Sequence, residues 1–241
     1  MTLSHQSAMK PRRLKERSVF DILVAGGGIS GLSTALALRA TFGEALRIGV
    51  VDPAFGAREA NVRTSALAAG SVNLLNAIGI WSEIADRAGP MRRLNITDSR
   101  RNDSIRPLYL QFDEPLEDGA PFSYMVRNSD VVAALEQKIL TQGIELVKSA
   151  VTRLLPESRY IELRLSDGQV FKARLVIGAD GVKSQVRRSA GIETISHDYK
   201  RSAIVATLSH DEDHHGEAVQ HFLPPGPFAM LPMAGRRSSI V

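Results

Sequence analysis

The chain contains no cysteine among its 241 residues. A disulfide framework, a thiolate metal site and a cysteine nucleophile are therefore excluded, and the composition fits a reducing compartment. The sequence also lacks any apolar run of the roughly 20 residues that cross a bilayer as a helix. We therefore expect no membrane anchor.

Aromatic residues are also scarce, at 5% of the chain, and the net charge is only +4. Proteins that bind nucleic acid usually combine a basic stripe with interleaved aromatic side chains, whereas the lysines and arginines here are scattered. We therefore expect no nucleic-acid partner. The apolar fraction of 44% and the charged fraction of 23% are ordinary for a globular protein.

The most informative segment is VFDILVAGGGISG, in which a short apolar run ends in a cluster of glycines. Gly26, Gly28 and Gly31 stand in the G-x-G-x-x-G order, between a predicted strand and a helix-compatible stretch. The first glycine permits a tight turn, the second lets a pyrophosphate approach the backbone, and the third allows close packing of the helix. The spacing predicts a dinucleotide site at a helix N-terminus and leaves NAD, NADP and FAD open.

An acidic residue is expected about 20 positions after such a cluster, where it binds a ribose. Asp52 ends the apolar run LRIGVVD, which places it at the carboxyl end of a neighbouring parallel strand. The alternative is a simple turn before Pro53. If Asp52 binds a ribose, we expect Asp52→Ala to weaken cofactor binding and to change the melting of the cofactor-free fold little.

The rest of the chain alternates between helical and strand-like patterns. After Asp52 we expect a helix that includes Leu67, and then two antiparallel strands from the runs LNIT and LYLQF. Asn128 and the following serine are expected to cap a further helix. A β-hairpin is predicted around the Asp-Gly pair at 167–168, and strand-like runs continue from position 196 to the end.

The segment RLVIGADGVKSQVR, residues 174–187, narrows the choice of cofactor. It resembles the second fingerprint of the flavoprotein aromatic hydroxylases, G-A-D-G-x-x-S-x-V-R. In that family the fingerprint lies at the FAD ribitol and near the transient NAD(P)H site. The resemblance implies cofactor-binding roles for Asp180, Gly181, Ser184 and Arg187.

Three other segments look like the ubiquinone-biosynthesis hydroxylases of the same group, so the resemblance covers residues 20–241. They are RTSAL from position 63, YMVRNSDVVAAL from position 124 and GPFAMLP from position 226. The resemblance implies that Arg63 contacts the cofactor's phosphates or NAD(P)H, and that Asn128 contacts the flavin ribose. A solvated arginine and a helix N-cap are equally good accounts of these two residues.

The resemblance implies an α/β fold, with a Rossmann-like FAD-binding domain and an inserted, mainly antiparallel β substrate domain. The family's third fingerprint, a later Gly-Asp motif, has no match here, so we expect the amino-terminal portion of a longer protein with an incomplete substrate domain. The expected division is a flexible arm at 1–18, an FAD-binding domain at 19–88 and 123–193, and a substrate domain at 89–122 and 194–241.

The implied activity is that of an FAD-dependent monooxygenase that uses NAD(P)H and O₂ to hydroxylate a polyprenylated phenol in ubiquinone biosynthesis. The flavin carries the chemistry in this family, so no catalytic side chain is expected. Two alternatives stay open: a related flavoprotein acting on another aromatic or isoprenoid substrate, and a truncated, non-catalytic nucleotide-binding fragment. We expect a cytoplasmic protein, with peripheral attachment to the inner membrane or to a biosynthetic complex as a further option.

A histidine-rich segment, HDEDHH at residues 210–215, contains the side-chain types that bind metals. Its spacing gives the ligands no common helical or strand face. We therefore expect a polar hairpin loop there, and no metal site.

Overall fold

A computed structural model describes residues 19–57, 62–100, 102–113 and 119–241. The arm predicted at 1–18 lies outside these residues. The helices are α1 (Ile29–Phe42), α2 (Ala69–Ala77), α3 (Trp81–Ile84), α4 (Asn128–Thr141) and α5 (Gln185–Ser189). The first eight strands are β1 (Val19–Ala25), β2 (Ile48–Val51), β3 (Thr64–Ala68), β4 (Gly89–Met91), β5 (Arg93–Asp98), β6 (Leu108–Phe112), β7 (Ser123–Arg127) and β8 (Glu145–Val147). The remaining strands are β9 (Val151–Pro156), β10 (Ile161–Leu165), β11 (Val170–Gly178), β12 (Ala206–Ser209), β13 (Glu217–Leu223), β14 (Gly226–Met233) and β15 (Arg237–Ile240).

The first sheet has the order β8-β2-β1-β11-β10-β9. Strands β8, β2, β1 and β11 run parallel, whereas β11, β10 and β9 pair antiparallel and include the predicted hairpin. Val24 of β1 lies between Val50 of β2 and Ile177 of β11. The carboxyl ends of parallel strands lie at the same edge of a sheet, so the glycine cluster, Asp52 and the second fingerprint all lie at that edge.

Hydrophobic side chains cover both faces of this sheet. Ile22 and Val24 belong to a buried cluster with α1 and α4, whereas Leu23, between them in sequence, packs into a second cluster on the other face. This alternation is what the two-residue period of a strand requires. The helices contribute Leu32, Leu36, Leu135 and Ile139 to the first cluster.

A buried arginine holds three loops together through hydrogen bonds to their backbone carbonyls. Arg39 is 9% exposed, and its guanidinium donates to the carbonyl oxygens of Gly43 at 2.6 Å, Leu46 at 3.3 Å and Gly143 at 3.4 Å. These bonds join the end of α1, the entry to β2 and the turn after α4. A guanidinium offers several donors in a fixed plane, which suits it to this position.

The second sheet has the order β12-β15-β14-β13-β5-β6. All of its pairs are antiparallel except β13 with β5. A small third sheet, β3-β7-β4, lies where the larger two meet, and Met91, Met125, Ala218 and Met233 form a buried cluster there. The predicted α/β fold class, with a mainly antiparallel second region, is confirmed.

Two expectations about the segments beside the third sheet are wrong. Leu67 lies in β3, opposite Tyr124 of β7, rather than in a helix. Pairing with β7 outweighs the helical spacing of the leucines, which holds only from α2 onward. Asn128 is the first residue of α4, and no side chain caps that helix. Its backbone N–H instead donates to the Arg63 carbonyl at 3.0 Å, which extends the β3–β7 ladder to the start of the helix.

Candidate functional site

A cleft of about 430 Å³ opens where β1, β2 and β11 end. Five of the predicted site residues line it: Gly26, Gly28, Asp52, Asp180 and Gly181. The two fingerprints lie more than 120 positions apart in sequence and belong to neighbouring parallel strands. The sheet therefore brings both motifs to one cleft.

Two of the motif glycines are required by close packing. Gly26 has φ +112°, and a Cβ there would lie 2.1 Å from the Ala179 carbonyl oxygen. A Cβ on Gly31 would lie 1.9 Å from the Gly26 carbonyl oxygen. The absence of a side chain at Gly31 thus lets α1 pack against the glycine turn, and its absence at Gly26 lets the second fingerprint approach the first.

Gly28 differs from both, since a Cβ at its position would meet no atom within 4 Å. It precedes α1, a 14-residue helix whose N-terminus has no side-chain cap and no acidic residue in its first turn. The first N–H groups of a helix and the positive end of its dipole attract an anion. The open space and this helix end together form a cradle that fits a pyrophosphate.

Asp52 accepts hydrogen bonds from two backbone N–H groups, one in the glycine turn and one just after β2. Its Oδ2 accepts from the Gly27 N–H at 2.7 Å, and its Oδ1 accepts from the Ala54 N–H at 2.7 Å. The carboxylate therefore ties the glycine turn to the end of β2. The expectation that its removal would spare the cofactor-free fold does not agree with these bonds, because each is charge-assisted and partly buried.

Asp180 holds the start of α5. Its carboxylate accepts from the Ser184 hydroxyl at 2.5 Å and from the N–H groups of Gln185 at 2.6 Å and Val186 at 3.1 Å. Burial of the Asp180 carboxyl raises its pKa, but these hydrogen bonds to the charged form outweigh burial, so the pKa lies below its usual value. The visible role of this carboxylate is to position the second fingerprint.

Ser184 and Arg187 do not line the cleft. Ser184 is 7% exposed, and its hydroxyl oxygen caps α5 by accepting from the Arg187 N–H at 3.0 Å. The Arg187 guanidinium donates to the Val182 carbonyl at 2.8 Å.

Sequence reasoning missed Lys183, which does line the cleft and adds a positive charge to it. Its position inside the second fingerprint was the available signal.

Arg63 and Asn128 meet each other but do not line this cleft. They are joined by the backbone hydrogen bond that extends the β3–β7 ladder. The side-chain oxygen of Asn128 is buried and has no hydrogen-bond partner. A buried polar atom of this kind needs a partner, which a ligand hydroxyl or amide could supply.

Two histidines of the segment at 210–215 form hydrogen bonds with other groups of the protein. His214 donates through Nε2 to the Met233 carbonyl at 2.8 Å, and its Nδ1 accepts from the Gly216 N–H at 3.0 Å. His210 bonds through Nε2 to the Ser238 hydroxyl at 3.0 Å. The segment connects β12 to β13, which are separated by β15 and β14 in the sheet, so the expected hairpin is wrong. Within the described ranges, no group of three or more His, Asp or Glu side chains is placed so that it could hold a metal ion.

A family profile described as an FAD binding domain matches residues 19–240. Among curated relatives, the ubiquinone hydroxylase UbiL of Rhodospirillum rubrum is 40% identical over 98% of this chain and 54% of its own length. The 3-demethoxyubiquinol 3-hydroxylase of Escherichia coli is 33% identical over 92% of this chain and 56% of its own. The chain thus spans about half the length of the curated relatives it matches.

Solved structures share the fold. PqsL of Pseudomonas aeruginosa, a probable FAD-dependent monooxygenase, superposes with a TM-score of 0.72 at 22% identity, over 92% of this chain and 59% of its own. An HpxO variant of Klebsiella pneumoniae complexed with FAD gives a TM-score of 0.71 at 18% identity, over 92% and 56%. In the part of this chain that the structure describes, no helix is long and apolar enough to cross a membrane.

The bonds of Asp52 predict a loss of stability in the absence of cofactor. Asp52→Ala should lower the free energy of unfolding by about 1–3 kcal/mol, because two backbone N–H groups lose a charged acceptor. Urea denaturation of the cofactor-free protein measures this difference. Asp103→Ala is the matched control, since its carboxylate accepts one exposed N–H, from Arg100 only three residues away. Equal, small losses in both variants would contradict the role assigned to Asp52.

The lowered pKa of Asp180 predicts a pH-dependent contribution to stability. The contribution should be present above the unfolded pKa of about 4 and should be lost as the pH falls through the lower folded pKa. Asp180→Asn should therefore destabilise the protein most at neutral pH, and its stability should converge on that of the parent in acid. Urea midpoints between about pH 7 and pH 2.5 test this expectation. A constant difference across that range would exclude the charged hydrogen bonds as the cause.

Proposed function

Because this chain belongs to the FAD-binding domain family, we propose that it holds FAD in the cleft where β1, β2 and β11 end. The observation that carries this proposal is the open space at Gly28 beside the uncapped N-terminus of α1. A pyrophosphate needs both a close approach to the backbone and unpaired N–H donors. In this proposal Asp52 also accepts from the adenosine ribose, since a carboxylate has about four lone-pair sites.

The second fingerprint is proposed to form the ribitol side of the site. Gly181 and Lys183 line the cleft there, and Lys183 would offset the negative charge of the phosphates. Asp180 and Ser184 act as positioning residues, because their hydrogen bonds fix the start of α5. We propose that the unpartnered oxygen of Asn128 meets the flavin ribityl chain, and that Arg63 and Arg187 approach the phosphates or NAD(P)H.

The proposed activity is hydroxylation of a polyprenylated phenol in ubiquinone biosynthesis, with NAD(P)H and O₂ as co-substrates. The strongest support is the 40% identity with a ubiquinone hydroxylase over nearly the whole of this chain. When bound, FAD supplies the hydride acceptor and the oxygen activation that this reaction needs. The protein's own part is to bind, to orient and to exclude water, so no side chain is assigned a catalytic role.

The domain division remains a proposal, with residues 19–88 and 123–193 binding FAD and residues 89–122 and 194–241 binding substrate. The separate first and second sheets support it. β4 joins the two regions, since a Cβ on Gly89 would lie 2.3 Å from the Pro232 carbonyl oxygen of β14. Because a polyprenylated substrate resides in a bilayer, the proposal includes peripheral contact with the inner membrane or with a biosynthetic complex.

FAD binding is tested at Gly28. Gly28→Val places a branched side chain in the space proposed for the pyrophosphate, so FAD affinity should fall by about a hundredfold or more, the loss of roughly 3 kcal/mol. Gly70→Val is the matched control, because a Cβ on Gly70 also meets no atom within 4 Å and Gly70 lies on α2. Flavin fluorescence titration measures both affinities. An unchanged FAD affinity in Gly28→Val, or an equal loss of affinity in both variants, would contradict the proposal.

The substrate class is tested by turnover. With FAD and NAD(P)H, a prenylated phenol should stimulate NAD(P)H oxidation and should gain one oxygen atom, detected by mass spectrometry. A small aromatic acid, as the comparison substrate, should do neither. Hydroxylation of the acid instead would identify the related flavoprotein. FAD binding without any turnover would identify a nucleotide-binding fragment.

A further inference from the structure

The two ends of the second sheet differ in what covers them. At one end, Ala218 of β13 and Met233 of β14 are buried against the third sheet. At the other end, three segments meet, and we call them together the distal tip: the loop at 99–107, the start of β6 at 108–109, and the β13–β14 turn with its flanks at 222–228. The N–H of Ser99 donates to the Phe222 carbonyl at 3.4 Å, which ties the loop to β13.

Large apolar side chains are exposed on all three segments of the distal tip. Their exposed fractions range from 43% to 80%, and they are Ile105, Leu108, Tyr109, Phe222 and Phe228. Ile96 of β5 pairs with Leu110 and the next residue pairs with Leu108, so Tyr109 has no partner in the β5 register. A bulge of this kind hinders the pairing of a further strand. The distal tip is therefore apolar and exposed, and it does not suit an added strand.

The turn between β13 and β14 offers few backbone donors. Its sequence Leu-Pro-Pro-Gly-Pro, residues 223–227, contains three prolines, and proline has no N–H. A backbone that enters the headgroup region of a bilayer loses part of its water, so missing donors lower the cost of entry. A tyrosine such as Tyr109, with an apolar ring and a polar hydroxyl, suits the same depth. The composition of the distal tip therefore fits shallow insertion into a bilayer.

Arginine side chains surround these apolar groups. Arg100 and Arg106 lie on the loop of the distal tip and are exposed, and the Arg201 guanidinium donates to a carbonyl of the β13–β14 turn at 3.2 Å. The acidic neighbours are Asp98 and Asp103, and the Asp103 carboxylate already accepts from the Arg100 N–H at 2.8 Å. Three arginines against two aspartates leave a positive charge. Such a charge complements the phosphates of an anionic lipid surface.

We propose that the distal tip is the surface through which this protein contacts an anionic phospholipid bilayer. The apolar side chains enter the headgroup region, and the arginines bind the lipid phosphates. A rigid protein partner would cover one side of the distal tip, whereas a fluid lipid layer surrounds apolar groups that come from three segments. The inference rests on the membrane contact included in the proposed function and names the residues that make it.

Co-sedimentation of the 241-residue chain with lipid vesicles tests this surface. Phosphatidylcholine vesicles that contain about 30% phosphatidylglycerol should bind the chain, and phosphatidylcholine alone should bind it at least about fivefold more weakly. Ile105→Glu should weaken binding to the anionic vesicles by about tenfold or more, because it places a charge among the inserted groups. Leu140→Glu is the matched control and should bind as the parent does, since Leu140 is 70% exposed on α4 in the first core region.

A second variant separates the electrostatic contribution from the apolar one. Arg106→Gln should lower the affinity for the anionic vesicles roughly fivefold and should leave the weak binding to phosphatidylcholine unchanged. Since the chain has no cysteine, Ile105→Cys also gives a unique site for an environment-sensitive fluorophore. Its emission should shift to the blue with the anionic vesicles, and a fluorophore at Leu140→Cys should not respond. This measurement stands even if Ile105→Glu fails to fold.

The other outcomes overturn the proposal. Absence of vesicle binding, or binding that Ile105→Glu leaves unchanged while the fluorophore at Ile105→Cys stays silent, shows that the distal tip is not the contact surface. A fluorophore shift that depends on the concentration of the chain without vesicles assigns the distal tip to a second copy. A shift produced by a prenylated phenol without vesicles assigns it to the substrate. The FAD titration and the turnover assay contain no vesicles, so failure here and failure of the proposed function are distinguishable.

Discussion

The cleft depends on one close approach between backbones, the carbonyl of Ala179 against the α-carbon of Gly26. No L-residue with a Cβ fits at Gly26, because the carbonyl oxygen would lie 2.1 Å away. Gly31 is required for a related reason, since its α-carbon faces the Gly26 carbonyl. The second fingerprint can lie against the first only when both positions lack side chains. Two distant segments of the sequence thereby become one site, with Gly28 left open to a ligand.

Two carboxylates stabilise the geometry of this cleft through hydrogen bonds to the protein. Asp52 fastens the glycine turn to the end of β2, and Asp180 fastens the second fingerprint to α5. Each carboxylate accepts at least two hydrogen bonds from the protein, so it lies in a fixed position before any cofactor arrives. Preorganisation of this kind lowers the entropy that binding has to offset. A residue recognised as ligand-binding from sequence can therefore serve first as part of the scaffold.

Local patterns made the first sheet and its motifs predictable, because each strand, turn and glycine carries its own signal. The Asp-Gly hairpin, β1 and β2 follow from local spacing and turn residues, whereas only the family resemblance implies that the two fingerprints meet. The strand position of Leu67 could not be predicted in this way, because it depends on pairing with β7, which is distant in sequence, whereas the local spacing of the leucines favours a helix. The same holds for Asn128, whose N–H is taken by the Arg63 carbonyl. The bonds of Asp52 to Gly27 and Ala54 depend on side-chain geometry that no pattern encodes.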